Sequence, residues 1–420
     1  MHTRPSDSNH DVNAHTAAMF TPFVAVHAGA GCHSLARTPE YANLLAKITT
    51  STIQLLNSAS FVSADEAVVY AIRQLESSSL TNAGIPGSNL TCIGTVECDA
   101  AIMTDSVDPF HSTPVCSFGS VGGVPMTQEM ESRSQVIASP IQAAQCISKD
   151  DMAGHHPRTG KVPPIMICGA SVHDYALKHP SSTIDCISLS DARMMVTDQQ
   201  LKLYSHHQHI VDSKMLMDTV GAVIMDSKGN ISAGVSSGGI SLKWPGRVGE
   251  AAIYGAGVWA QRTSATLSSD LGIGISVSGC GEQIIKTQLA SRLADALIDR
   301  ADSQDTSECI RAFINQNVVE SRRLNPRNTL PAPVGCIALI VEPIQNKQCG
   351  DEGSTSNEPQ STMICSNQSS QRLLCEIWWA HTTQTMCFAY MSGNSTKPAF
   401  HMSNRADSKT NIVVGGAMVK

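Results

Sequence analysis

The pattern of apolar and polar positions is most informative between Asp218 and Glu250. Residues 219–225 (TVGAVIM) are small or apolar and β-prone, five turn-formers follow (Asp226, Ser227, Lys228, Gly229, Asn230), and residues 231–237 (ISAGVSS) are again extended in character. This predicts a hairpin. Pairing Met225 with Ile231 across the turn, with no bulge, sets Thr219 opposite Ser237. Two hydroxyl side chains then stand about 5 Å apart at the hairpin's open end. Pattern alone marks no catalytic site here: a threonine opening an apolar strand is a good strand-former, and Ser237 reads as a loop serine before Gly238 and Gly239.

Around this hairpin the chain predicts a strand at 23–27, running into the turn His27-Ala28-Gly29-Ala30-Gly31, where glycines admit close backbone approach. That turn lacks the lysine of a phosphate loop. Helices are expected over 40–58 and 64–77, the second opened by a capping box of Ser63 and Glu66, and another from about Pro140. Further strands are expected at 272–278, 335–341, 373–380 and 386–391. A helix from about Glu282 carries Ile285, Leu289, Leu293 and Leu297 at every fourth place. Polar, weakly periodic residues predict a disordered tail over 1–20, a mobile loop over about 185–218 and a disordered insertion over about 345–371.

Composition narrows the class. Aromatics are 4% and charged residues 15% of 420, while small residues are plentiful, which suits tightly packed sheets better than a helical bundle. A net charge of −7 gives no field for direct nucleic-acid or membrane binding. No apolar run reaches spanning length and the first residues lack a signal-peptide core, so a cytoplasmic or nuclear address is expected, although no basic nuclear signal is evident. The 14 cysteines form no CxxC pair and read as buried free thiols. His206, His207 and His209 lack partners at ligand spacing, so no metal is expected there.

The residues TVGAV, a turn with GN, SSGG and GRVG, together with the HAGAG turn and the NAG of Thr81–Gly84, resemble the N-terminal-nucleophile hydrolases of the plant-type asparaginase family. SSGG, KWPGRVG, AAIYG and WWAHTTQTM are similar to its threonine aspartase (taspase) branch. The resemblance covers most of residues 23–392 and departs at Ile85-Pro86, which adds one residue between Gly84 and Gly87. It implies an α+β fold, a four-layer αββα sandwich of two mostly antiparallel sheets. One globular domain would then yield an α subunit, 21–218, and a β subunit, 219–420.

A threonine hydroxyl needs a base, and an N-terminal threonine carries one in its α-amino group, which titrates near pH ~8. Thr219 is internal as synthesised, so the resemblance implies self-cleavage between Asp218 and Thr219. It further implies Thr219 as nucleophile, Ser237 as its hydrogen-bonding neighbour, and Asn82, Ser278 and the Gly279 amide as donors to the oxyanion. Arg247 would hold a substrate carboxylate, for which a planar fork is suited; read on its own it is more commonly a solvated arginine. Glu250 would face a substrate amine. No cofactor is implied.

Two activities follow from this resemblance. The favoured one is a threonine endopeptidase cleaving protein substrates after an internal aspartate, which for the taspase branch are nuclear regulators such as trithorax-type proteins and a general transcription factor. The alternative is an isoaspartyl peptidase and L-asparaginase acting on small β-aspartyl substrates. A charged Glu250 favours the second, while Ser237, the taspase-like segments and the chain length favour the first. A homodimer of αβ units is expected by the same resemblance.

Overall fold

The computed structural model describes residues 20–107, 114–128, 134–154, 160–179, 184–209, 218–263, 271–300, 305–321, 324, 332–343, 373–405 and 411–419. The expected insertion at 345–371 and all but the last residue of the expected N-terminal tail lie outside them.

Two sheets pack face to face. The larger has eight strands in the spatial order Ala399–Asn404, Thr385–Ser392, Phe23–Gly31, Val220–Met225, Ile231–Ser237, Glu97–Val107, Pro114–Pro125 and Met166–Cys168. All its pairings are antiparallel except the last. The smaller is antiparallel throughout, in the order Val413–Val419, Leu373–His381, Val334–Pro343, Gly272–Gly279 and Val258–Arg262. Phe23, Val223, Met225, Ile337, Leu339, Ile377 and Phe388 fill the space between them. The helices Thr38–Leu56, Ala64–Glu76 and Pro140–Ala153 bury Leu45, Ile48, Val68, Ile72 and Ile141 on the outer face of the large sheet. Leu289–Ile298 and Thr306–Ile314 bury Leu293, Leu297, Ile310 and Phe313 on the outer face of the small one. The result is the expected αββα layering, with each sheet apolar on both faces.

The hairpin has the register read from its turn, with Met225 opposite Ile231 and Val220 opposite Ser236. Asp226 closes the turn by accepting from the Lys228 and Asn230 amides at 2.8 and 3.0 Å. These two strands are central in the large sheet and buried along their whole length, so their ends are held rigidly. Gly221 lets the sheets meet closely: a Cβ there would stand 2.0 Å from Ser276 Oγ and 2.5 Å from His27 Nε2.

Several expectations change. The stretch from 185, expected as a mobile loop, contains a short strand Cys186–Ser188 and helices Leu189–Met194 and Asp198–His209 as far as it is described. Weak apolar periodicity hid them, because they are fixed by polar contacts: Ser188 caps the first by accepting from the Asp191 amide at 3.0 Å. In the second, Gln200 Nε2 donates to the Ile85 and Ser88 carbonyls at 2.8 Å each. His207, in the stretch expected as a mobile loop, is buried with Nδ1 2.7 Å from Ser241 Oγ. The helix expected from Glu282 is two helices, Gly281–Thr287 and Leu289–Ile298, broken where Gln288 takes a left-handed φ of 49°. Among the cysteines, Cys98, Cys336 and Cys387 are buried as expected, while Cys116 and Cys168 are exposed. No described helix is long and apolar enough to cross a membrane.

Candidate active site

Strand ends from both sheets and three loops converge on Thr219. Thr219 stands at the head of one hairpin strand and Ser237 at the tail of the other, and the close register brings Thr219 Oγ1 to 3.0 Å from Ser237 Oγ. The same Oγ1 lies 2.7 Å from Glu250 Oε1. A hydroxyl has one hydrogen, and of these two acceptors the carboxylate is the stronger. Ser237 Oγ in turn accepts from the Gly239 amide at 3.0 Å, which fixes it against the turn that follows.

Asn82 reaches the site on the loop after the Ala64–Glu76 helix. Its Nδ2 donates to the Gly239 carbonyl at 2.8 Å, and its Oδ1 accepts from the Asn89 amide at the same distance. The extra residue at Ile85-Pro86 is taken up by one helical turn, Gly84–Gly87. Gly84 is required there: its φ is +64° and a Cβ would stand 2.0 Å from the Glu76 carbonyl.

The KWPGRVG loop is pinned from beneath by residues to which sequence reasoning assigned no role. Lys243, 2% exposed, donates to the Glu97 carbonyl at 2.8 Å, Glu97 Oε2 accepts from the Gly246 amide at 2.7 Å, and Asp99 Oδ2 accepts from the Gly249 amide at 2.8 Å. Only the pairing of Asp99 with Ser237 across neighbouring strands, invisible in local pattern, brings these groups together. Held this way, Arg247 points its guanidinium inward. Nε donates to Glu282 Oε1 at 2.8 Å, whereas the buried Nη2 has no hydrogen-bond acceptor among the described residues, although the same Glu282 oxygen is 2.8 Å away. The arginine holds the Glu282 carboxyl below its ordinary range against the opposing effect of burial.

Asn82, Thr219, Ser237, Arg247, Glu250 and Gly279 line one small cleft. Ser278 is not on its wall; that hydroxyl is buried and accepts from the Ala30 amide at 3.0 Å, tying the glycine turn to the small sheet. Burial pushes the Glu250 carboxyl up to about 7, offset in part by the Thr219 hydrogen bond and the Arg247 charge. Asp218, on the other side of Thr219, is buried too, and its carboxyl is also raised, with His33 Nε2 3.8 Å away working the other way. Among the described residues no group of three or more His, Cys, Asp or Glu side chains could hold a metal.

This arrangement offers a buried hydroxyl with an acidic acceptor, a neighbouring hydroxyl, amide donors and a cation with unsatisfied hydrogens. That is equipment for nucleophilic attack on a carbonyl next to an anionic group. The family model described as Asparaginase matches residues 20–125 and 170–321. Isoaspartyl peptidase of Escherichia coli is 28% identical over 303 residues, covering 70% of this chain and 82% of that protein. Human isoaspartyl peptidase/L-asparaginase is 30% identical over 275 residues, 64% of this chain and 74% of its own. A probable isoaspartyl peptidase/L-asparaginase of Arabidopsis thaliana is 29% identical over 299 residues, 64% and 78%. With the fold, the matched residues and these relatives in agreement, the chain belongs to the asparaginase family of N-terminal-nucleophile hydrolases.

Proposed function

We propose that the chain cuts itself between Asp218 and Thr219, and that the Thr219 hydroxyl, with the freed amine as its base, then hydrolyses the side-chain amide of β-aspartyl dipeptides and of L-asparagine. The observation that carries this reading is the pairing of Glu250 and Arg247 in one cleft with Thr219. A β-aspartyl substrate presents a free α-amine and α-carboxylate next to its scissile amide, and it alone needs both an acidic and a basic partner. Arg247 Nη2, buried with hydrogens to give, suits the carboxylate. Glu250 suits the ammonium, which would also return the glutamate to its ionised form. The names of the relatives agree with this substrate class.

In the cut enzyme Thr219 Oγ1 would attack the substrate carbonyl carbon, passing its proton to the Thr219 amine, and the amine would return it to the departing nitrogen. Asn82 and Gly279 line the same cleft, and in this reading their N–H groups would donate to the carbonyl oxygen as charge develops on it. Water then hydrolyses the aspartyl ester.

A second reading, cleavage of proteins after aspartate, is favoured by the taspase-like segments and by Asp218 itself, an aspartate on the acyl side of the bond to be cut. In that case Arg247 would take the side-chain carboxylate and Glu250 would have no ammonium to meet. Matured protein offered a β-aspartyl dipeptide, L-asparagine and a peptide with an internal Asp-Gly bond separates the two. Release of aspartate from the first two alone is expected; cleavage of the peptide alone would establish the second reading.

A further inference from the structure

Before the chain is cut, Thr219 has no amine. Its nitrogen is a peptide amide, so the base of the mature enzyme is missing from the very step that creates it. Something else must take the hydroxyl proton.

Five groups stand near enough to consider. His27 faces the Thr219 backbone, but burial lowers its imidazole to about 3, too weak a base for a hydroxyl proton, and its Nε2 is engaged with Ser276 Oγ at 2.8 Å. Ser237 Oγ, 3.0 Å away, is a hydroxyl and no base at neutral pH. His33 faces Asp218, but its Nδ1 is engaged with Thr385 Oγ1 at 2.8 Å and its Nε2 with the Ala28 carbonyl at 3.2 Å. The Thr219 hydroxyl is directed to Ser237 and Glu250 and not to the Asp218 carboxyl, whose Oδ1 has no hydrogen-bond partner among the described residues. Glu250 remains, with Oε1 2.7 Å from Thr219 Oγ1 in the uncut chain.

We propose that Glu250 is the general base of self-cleavage, its Oε1 taking the Thr219 hydroxyl proton as Oγ1 attacks the Asp218 carbonyl carbon. The proposal rests on the self-processing reading above and gives Glu250 a task in the precursor that is separate from meeting a substrate amine later. As the new C–O bond forms, the carbonyl electrons move to its oxygen. When they return, the bond from the Asp218 carbonyl carbon to the Thr219 nitrogen breaks, and that nitrogen takes the proton held on Glu250. The product is an ester between Asp218 and Thr219 Oγ1, which one water splits into the Asp218 carboxylic acid and the free Thr219 hydroxyl.

The surroundings support this use of the residue. Glu250 is 3% exposed and sits in a one-turn helix, Glu250–Ala252, that fixes its backbone. Its Oε2 faces Gly281, where a Cβ would stand 2.6 Å away, so a side chain there would push the carboxyl aside. The charged and titratable groups around it are Arg247 from its own loop, Asp99 from the adjoining strand, and Cys280 beyond the small-sheet strand, with Glu282 reaching it only through Arg247. Burial dominates over these and sets the carboxyl near 7, where a base is both available and strong enough to act.

The test follows the appearance of two chains by intact mass, starting from freshly made full-length precursor of the wild type and of E250Q, between about pH 5.5 and 8.5. Wild-type cleavage should accelerate with pH and level off above about 7, and E250Q should be slower by about a hundredfold or more, without that inflection. E250Q maturing at the wild-type rate overturns the proposal. Should E250Q fail to fold, the wild-type profile decides: a rate that climbs to a plateau supports Glu250, and a flat one overturns it. A wild-type chain that stays whole at every pH sinks the self-processing reading and this proposal with it.

Discussion

Gly29 passes so close to Asp218 that a Cβ on it would stand 2.5 Å from the Asp218 Cα and 3.0 Å from its carbonyl carbon. The glycine turn is thus the floor under the bond to be cut, and its φ of +107° is one that side-chain-bearing residues rarely take. We expect Gly29→Ala to lower stability by roughly 1–3 kcal/mol and to stop or greatly slow self-cleavage by displacing Asp218. Thermal melting and intact mass on the same sample check both parts; a variant that matures at the normal rate would show that the close approach is not needed for the cut.

Arg247 shares the cleft with Thr219 but is held by Glu282, while the Thr219 hydroxyl is bonded to Ser237 and Glu250. Arg247→Ala should therefore still mature, with the pH midpoint of maturation moved up because Glu250 loses the neighbouring charge that holds its carboxyl down, while kcat/KM falls by about a hundredfold or more, the scale of losing a charge-assisted partner inside a cleft. Arg247→Lys should recover little of it, because an ammonium cannot reproduce the fork. Steady-state assays on protein confirmed as cut would measure this, and near-normal turnover of Arg247→Ala would remove the residue from the substrate site.

Glu76 supplies a pH-dependent stability that can be isolated. It is buried beneath the hairpin, accepting from Ser236 Oγ at 2.7 Å, from the Ile141 amide at 3.2 Å and from Ser139, and burial raises it to about 7 despite these bonds. A carboxyl whose folded value is raised keeps its proton while the unfolded chain has already lost it. Its contribution is complete below about 4.5 and is lost as pH rises through about 7. His27, lowered to about 3, acts in the opposite direction, losing stability as pH falls below 6.5. The comparison must therefore be a difference: melting temperatures of Glu76→Gln minus wild type should become more favourable to the variant between pH 4.5 and 7. No change in that difference would mean Glu76 titrates normally in the fold.

Much of this was legible in the sequence because it depends on local turn chemistry. Asp226 to Asn230 sets the hairpin, the hairpin sets the register, and the register alone brings Thr219 and Ser237 together. Ser63 and Glu66 likewise gave the start of a helix, and the structure contains that capping box. What was hidden depends on contacts distant in sequence. The Thr219–Glu250 contact spans 31 residues, so Glu250 was read only as a partner for substrate. The anchoring of the Arg247 loop by Glu97 and Asp99 needs the strand order of the large sheet. Polar helices such as Asp198–His209 have no apolar stripe to announce them and depend on side chains like Gln200, buried against the Asn82 loop. The edge strands Ala399–Asn404 and Val413–Val419 are half-buried at best, and their mixed composition gave no alternation to read.

The most direct measurement is the intact mass of purified wild type and Thr219→Ala after prolonged incubation free of other proteases. The wild type should resolve into two chains, one ending at Asp218 and one beginning at Thr219, while Thr219→Ala stays whole. A wild type that remains one chain, or a Thr219→Ala variant cut at the same bond, would contradict Thr219 as the nucleophile.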